Sequence, residues 1–148
     1  MLETPFTRQA WLGILARAGA DALATRLLSA PPLPRHSRLR GPEIGMSMVR
    51  GRAGGGGAAF SLGEITITRC TIRDAAGRVG HGYATGRNTN HVEMIARLDA
   101  ALQDPALYPA YAQAVLRPLA NMEQARRDDV AAKAAATDVR FLTLSVMR

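Results

Sequence analysis

The chain has 148 residues, of which 47% are hydrophobic and 21% are charged. This length is enough for one domain with a hydrophobic core. This composition excludes a disordered tail, a collagen-like repeat and a disulfide-rich scaffold, and the apolar runs are too short to cross a bilayer. Cys70 is the only cysteine, which excludes an intrachain disulfide and a cysteine-cluster metal site. Residues 1–8 do not resemble a signal peptide, so we expect a cytoplasmic protein.

Positive charge is concentrated in the first part of the chain. Nineteen basic and twelve acidic side chains give a net charge of +7. Residues 1–87 hold twelve arginines and five acids, whereas the charges of residues 88–148 balance. The asymmetry predicts that the N-terminal part meets an anionic ligand, a nucleic acid or an acidic protein surface. The preference for arginine over lysine is equally explained by a GC-rich coding bias.

Two short helices are predicted at the start. Trp11, Ile14 and Leu15 follow the i, i+3, i+4 pattern of a buried helical stripe, and Thr7 is placed to cap that helix. A second helix is predicted from Asp21 to the prolines that begin at Pro31. Together these segments predict an N-terminal helical hairpin.

From residue 34 to residue 86 the hydrophobic period changes to two. Ile44, Met46 and Met48 alternate with other residues in one segment, and two further segments around residues 64–68 and 79–85 are also extended. The connections at residues 51–57 and 74–77 are too short for parallel crossovers, so the strands are predicted to form antiparallel hairpins.

Helical periodicity returns after Arg87. Asn90 and Glu93 have the spacing of a capping box, and a further helix is predicted to break near Pro118 before an alanine-rich run to about residue 136. Residues 139–147 predict a strand with apolar residues on both faces, either central or covered by another chain. We therefore expect one α+β domain over residues 1–148, an antiparallel sheet of about four to five strands flanked by the helical hairpin and C-terminal helices.

The first candidate anion site is a glycine-rich loop. Arg50 and Arg52 lie beside glycines 54–57, whose backbone N–H groups are able to form an anion-binding nest. The loop lacks the Gly-Lys-Ser/Thr of a Walker A motif, and the strand that follows it excludes a dinucleotide fingerprint. The alternative is a flexible hairpin loop without a ligand.

The second candidate is the connection from a strand to a helix start. His81, Arg87 and His91 lie in or beside it, and a helix N-terminus attracts anions. The alternative is a structural connection in which His91 points to solvent and Arg87 pairs with Glu64 or Glu93. The three histidines have no metal-ligand spacing, so no metal is expected, and Cys70 is predicted to be a small buried packing residue. The catalytic residues remain unknown from these patterns.

An ordered set of short blocks resembles the PhnG family, the G subunits of the bacterial carbon–phosphorus lyase system. The resemblance runs nearly from end to end, and the order of the blocks is far more specific than any single motif. The blocks are Thr7-Arg-Gln with Trp11, Glu43-Ile-Gly, the glycine loop with Phe60, Gly63-Glu, Thr66-Ile-Thr-Arg69, Gly82-Tyr, Gly86-Arg with His91, Glu93, Asp99-Ala, and Thr137 to Phe141.

The resemblance implies a subunit of a cytoplasmic complex that uses organophosphonates. Its partners are implied to be the H, I and J subunits, with the L subunit needed for activity, and no membrane. That complex transfers a phosphonate to ribose C1 of ATP and releases adenine, so ATP and phosphonate are its substrates, and this chain is expected to hold no cofactor and not to be catalytic alone. The alternative from composition is an arginine-rich nucleic-acid-binding module without enzymatic activity, although few aromatics are placed for base stacking.

Overall fold

A computed structural model describes residues 6–53 and 56–137 of the chain. Helices lie at both ends of this part of the chain, and the strands lie between them. In chain order the elements are α1 (Arg8–Ala18), α2 (Ala20–Leu27), β1 (His36–Gly51), β2 (Phe60–Asp74), β3 (Val79–Thr85), α3 (Thr89–Leu102), α4 (Tyr108–Tyr111) and α5 (Arg117–Ala136). This order confirms the α+β class and the N-terminal helical hairpin.

The three strands of the described chain form one antiparallel sheet in the order β1-β2-β3. The count is slightly below the four to five strands expected, and the strand predicted over residues 139–147 lies outside the described residues. The predicted turn between β2 and β3 is confirmed: Asp74 Oδ1 accepts from the N–H groups of Ala76 and Arg78, both at 2.9 Å, and Gly77 adopts a φ of 87°. A glycine suits that turn because a side chain disfavours positive φ.

Helix α3 covers one face of the sheet at very short range. Cys70 and Ile72 point from β2 into this interface and are 2% and 0% exposed. A Cβ added at Gly82 of β3 would lie 1.8 Å from the carbonyl oxygen of Val92 in α3, and one at Gly80 would lie 1.9 Å from that of Ala96. The glycines therefore let helix backbone and strand backbone touch, and the helical hairpin closes the core from the other side of α3 with Leu15 and Leu23.

The C-terminal helices are continuous at the point where a break was predicted. Helix α4 passes through a π-helical turn at Ala112–Leu116 directly into α5, and Pro118 lies in the first turn of α5. The prediction of a break near Pro118 is wrong because proline fits the first turn of a helix, and the wider π turn absorbs the change in hydrogen bonding. Beyond Leu119, which is buried, most of the alanine-rich helix is exposed.

Two strands extend beyond the part of the sheet that α3 covers. Strand β3 pairs only with residues 67–73 of β2, whereas β1 and β2 stay paired as far as Gly51 and Phe60. Residues 44–51 and 60–66 therefore form a two-stranded ribbon, here called the arm, which projects about 20 Å at the usual rise of a strand. No helix among the described residues is long and apolar enough to span a membrane.

Candidate functional site

The connection from β3 to α3 is held firmly to the neighbouring strand. The Gly86 N–H donates to the Thr66 carbonyl at 2.9 Å, and the Thr68 hydroxyl donates to the Gly86 carbonyl at 2.7 Å. Asn88 caps α3, its Oδ1 accepting from the backbone N–H of His91 at 2.9 Å. The prediction of a cap at Asn90 is therefore wrong by two residues, although an asparagine does cap this helix.

Glu93 has a different role from the one its spacing predicts. It lies 2.8 Å from His36 Nε2 and 2.7 Å from Arg38 Nη2, so it ties α3 to the start of β1. The hydrogen bond from Arg38, and then that of His36, holds the pKa of Glu93 below its usual range. The Arg38 guanidinium and the His36 ring, both from β1, bind this carboxylate in place of a backbone N–H at the start of α3. No capping box forms for that reason, and Glu93 does not pair with Arg87.

His91 is buried in the interface between α1 and α3. The residue is only 5% exposed, and its Nε2 lies 3.2 Å from the carbonyl oxygen of Leu15. That contact requires the proton on Nε2 and leaves Nδ1 as an acceptor. Burial lowers the pKa of His91, so the ring is neutral at pH 7. The alternative that His91 points to solvent is therefore wrong.

A cleft of about 680 Å³ opens beside His91. The end of α1 forms one wall, Tyr83 and Thr85 at the end of β3 form another, and Arg126 of α5 closes a third side. Arg126 has no hydrogen-bond or ion-pair partner among residues 6–53 and 56–137, whereas Arg17 in the same cleft is paired with Glu123 at 2.6 Å. A half-exposed phenol and an unpaired guanidinium at one opening suit a ligand that carries an anionic group and a flat ring.

The other candidate residues lie in different places. Arg87 is exposed, is not among the residues that line the cleft, and bonds to no other described residue through its side chain. His81 is exposed on the sheet face opposite α3, with Nδ1 3.1 Å from the Thr71 hydroxyl. Arg50 donates to the Ala59 carbonyl at 3.2 Å near the tip of the arm, and Arg52 is exposed beside it. The structure thus does not gather the five predicted residues around one ligand.

Asp99 is a polar centre to which the sequence patterns assign no role. Its carboxylate is fully buried and accepts from Arg8 Nε at 3.0 Å, Arg8 Nη2 at 2.7 Å, Trp11 Nε1 at 2.9 Å and the backbone N–H of His81 at 2.9 Å. The hydrogen bonds to Asp99 raise the pKa of Arg8. One carboxylate therefore joins α1, α3 and the outer edge of β3, which identifies it as a structural anchor.

The arm carries most of the large apolar side chains that are exposed in the described chain. Ile44, Met46 and Met48 are 49%, 64% and 57% exposed, and the register places them on the same face as Thr68, Thr66 and Glu64. Phe60 and Leu62 near the tip are about half exposed as well. Single exposed apolar side chains are ordinary, but a contiguous group of this kind marks an interaction surface.

Comparison with known proteins identifies the family of this sequence. A family model described as phosphonate metabolism protein PhnG matches residues 6–146. The chain belongs to the PhnG family. It is also 36% identical over 137 residues to the alpha-D-ribose 1-methylphosphonate 5-triphosphate synthase subunit PhnG of Rhizobium meliloti (strain 1021), a match that covers 93% of this chain and 87% of that protein. The resemblance seen in the ordered sequence blocks is confirmed.

The described residues carry few groups of the kind that serve metal or thiol chemistry. Within residues 6–53 and 56–137 no three His, Cys, Asp or Glu side chains are grouped as metal ligands. Cys70 is buried, as predicted, and desolvation raises the pKa of its thiol, which disfavours the reactive thiolate. The features that stand out in this PhnG chain are thus a basic cleft and an apolar arm, which are both suited to binding.

Proposed function

We propose that this chain is the G subunit of an alpha-D-ribose 1-methylphosphonate 5-triphosphate synthase and acts in organophosphonate catabolism. The observation that carries the proposal is the match to a named subunit of that synthase over 93% of the chain. The reaction it supports is transfer of the phosphonate to ribose C1 of ATP with release of adenine.

The structure supports a binding role within that assembly. An exposed apolar arm and an exposed polar helix α5 are expected of a subunit that is completed by its neighbours. We propose the H, I and J subunits as those neighbours, with the L subunit needed for turnover. ATP and phosphonate are substrates of the whole complex, which we place in the cytoplasm where ATP is made, and the chain itself needs no cofactor.

We further propose distinct contacts for the candidate residues. Arg87 is exposed next to the N-terminus of α3 and is suited to contact an anionic group of a substrate or a partner. Arg50 and Arg52 are suited to partner contact because Arg50 lies on the arm and Arg52 follows directly after it, exposed near the tip. His91 and His81 are held within the domain by Leu15 and Thr71, so their proposed role is to position the cleft and the strand beside it.

The proposal is tested by reconstitution. The tagged chain is coexpressed with the H, I and J subunits of the same organism, and adenine release from ATP and methylphosphonate is measured after the L subunit is added. We expect the chain to copurify with the other subunits and adenine release to depend on it. Purification of the chain alone, or bound to nucleic acid without those subunits, contradicts the proposal, and so does undiminished adenine release from a complex that lacks it.

A further inference from the structure

We propose that the arm is the surface by which this chain docks on another subunit of the synthase, and that the docking surface of that subunit is apolar at its centre and acidic at its rim. The inference rests on the proposed function, since it specifies which part of the chain makes the assembly. It commits to a different subunit as the occupant rather than to a second copy of this chain.

The first argument is the loss of cover along a single pair of strands. The face of β2 that carries Cys70 and Ile72 is buried under α3, and the register continues the same face outward to Ile44, Met46 and Met48 of β1. Beyond α3, no described residue covers these side chains, which are about half exposed or more. Two methionines in this patch favour a binding surface, because the flexible thioether side chain adapts to a partner.

The second argument concerns the stability of the ribbon itself. A two-stranded hairpin without a third strand or a packed helix is only marginally stable in water. The arm also has two unprotected edges over residues 44–51 and 60–66, and exposed edges with apolar faces promote aggregation unless something covers them. A partner that packs on the apolar face covers the exposed side chains and supplies the packing that a lone hairpin lacks, so the arm is suited to a permanent neighbour.

The third argument is charge, which separates a partner subunit from a second copy. Around the tip, Arg50 and Arg52 have no acidic partner within the described residues, while Arg40 and Arg69 share Glu43. Elsewhere on the described chain six more arginines have no acidic partner in the structure, and acids without a cationic partner are fewer. The arginines are Arg26, Arg35, Arg73, Arg87, Arg97 and Arg126; the acids are Asp21, Glu64 and Asp128, the last bonded to Gln124.

Two copies joined through their arms bring these like charges together, which opposes association. A partner whose contact surface is acidic at the rim gains from the same arginines, both in the rate of encounter and in specificity. The apolar centre with a polar rim is the arrangement found in specific protein interfaces. The charge distribution therefore selects a different, acidic subunit as the occupant.

The test uses the coexpressed complex and a double variant, Met46→Glu with Met48→Glu. Both side chains are more than half exposed, so the purified chain is expected to keep its melting temperature and circular dichroism spectrum. Recovery of the complex on the tagged chain is expected to fall at least tenfold, because the variant buries two carboxylates at the apolar centre of the interface. Leu28→Glu is the matched control: Leu28 is 87% exposed, lies outside the arm, and its variant is expected to assemble normally.

A second variant tests the rim separately from the centre. Arg50→Glu with Arg52→Glu is expected to weaken assembly, and the loss is expected to be greatest at low salt, where charge interactions are least screened. Normal assembly of the methionine variant overturns the inference while leaving the proposed function intact. Failure of the wild-type chain to assemble overturns the proposed function itself. A wild-type chain that forms a dimer by itself, and loses it in the methionine variant, shows that the occupant is a second copy and also overturns the inference.

Discussion

The two ends of strand β2 show how one strand serves two purposes. Toward its C-terminal end Cys70 and Ile72 are almost completely buried beneath α3, whereas Leu62 and Ile65 in the arm are 55% and 41% exposed. Both ends are rich in β-branched and apolar residues, and both pair with β1 in antiparallel register. The difference comes from what lies behind the strand, because glycines 80 and 82 admit a helix at one end and no described helix covers the other.

The largest difference between the covered half and the arm is expected when one glycine in each is replaced by alanine. Gly82→Ala forces a Cβ to within 1.8 Å of the Val92 carbonyl oxygen, so α3 must move off the sheet. We expect the free energy of unfolding to fall by about 3 kcal/mol or more, measured by urea denaturation. Gly45→Ala in the arm is the matched control, because its Cβ meets no atom within 4 Å. Equal losses at the two sites contradict the description of a tightly covered half and an open arm.

The next largest difference in stability is expected between a variant that removes a buried carboxylate and one that removes an exposed carboxylate. Asp99→Ala leaves the Trp11 indole N–H and the His81 N–H without an acceptor in the covered half, and we expect a loss of about 3 kcal/mol in unfolding free energy. Glu43→Ala on the exposed side removes ion pairs to Arg40 and Arg69, and its unfolding midpoint is expected to stay near wild type. A wild-type midpoint for the Asp99 variant refutes its role as the anchor of α1 and β3.

The pH dependence of stability should reveal the buried histidine of the covered half. Burial lowers the folded-state pKa of His91 below the ordinary value of about 6.5, so its neutral form contributes fully above that value. As the pH falls from about 6.5 toward the folded-state pKa, the unfolded chain binds a proton that the folded chain does not, and stability declines.

The variant His91→Gln keeps an N–H that can donate to the Leu15 carbonyl but does not titrate. We expect its melting temperature to change less than that of wild type between pH 7.5 and pH 5.5. His36 and His81 are present in both proteins, so the difference between the two profiles reports His91. Identical pH profiles would show that the imidazole is not held neutral.

The smallest expected effect on stability is at the exposed junction between the two halves. Arg87→Ala is expected to alter the free energy of unfolding by no more than about 0.5 kcal/mol, because its side chain bonds to no other described residue. If Arg87 contacts an anion in the synthase, adenine release by the intact complex should fall about tenfold, as for one charge-assisted hydrogen bond of roughly 1.5 kcal/mol.

Arg73→Ala provides the control for that experiment, since Arg73 is also exposed and has no acidic partner among the described residues. Normal turnover of an intact complex that carries Arg87→Ala removes Arg87 from the substrate-binding machinery. A loss of turnover that accompanies a loss of assembly instead assigns Arg87 to a subunit contact.

Local signals in the sequence were reliable where the relevant partners are close in the chain. Thr7 caps α1 by accepting from the Ala10 N–H at 3.2 Å, and the turn that contains Asp74 and Gly77 forms as predicted. The cap of α3 was misplaced because Asn90 and Glu93 have the spacing of a capping box, while Glu93 is taken by Arg38 from a strand 55 residues away. Propensity cannot anticipate such a distant competitor.

The candidate site shows the same limit. Arg87 and His91 are four residues apart in sequence, yet one is exposed and the other is buried against Leu15 of a different helix. Arg126 enters the cleft from α5, where it stands among other charged residues of an exposed helix and gives no signal of a ligand site. A pair of glycines at alternate strand positions, 80 and 82, was the one available sign that a helix packs directly on β3.

The sequence by itself determined the α+β class, the antiparallel hairpins, the helical hairpin at the start and the family. These follow from hydrophobic period, short turn lengths and the order of motifs, all of which are written along the chain. Only the tertiary structure decided that Asp99 anchors three elements, that His91 is neutral and buried, and that β1 and β2 extend beyond helix α3 to form the arm. Burial, ion pairing and exposure depend on residues brought together from distant parts of the chain, and no local pattern records which of them will meet.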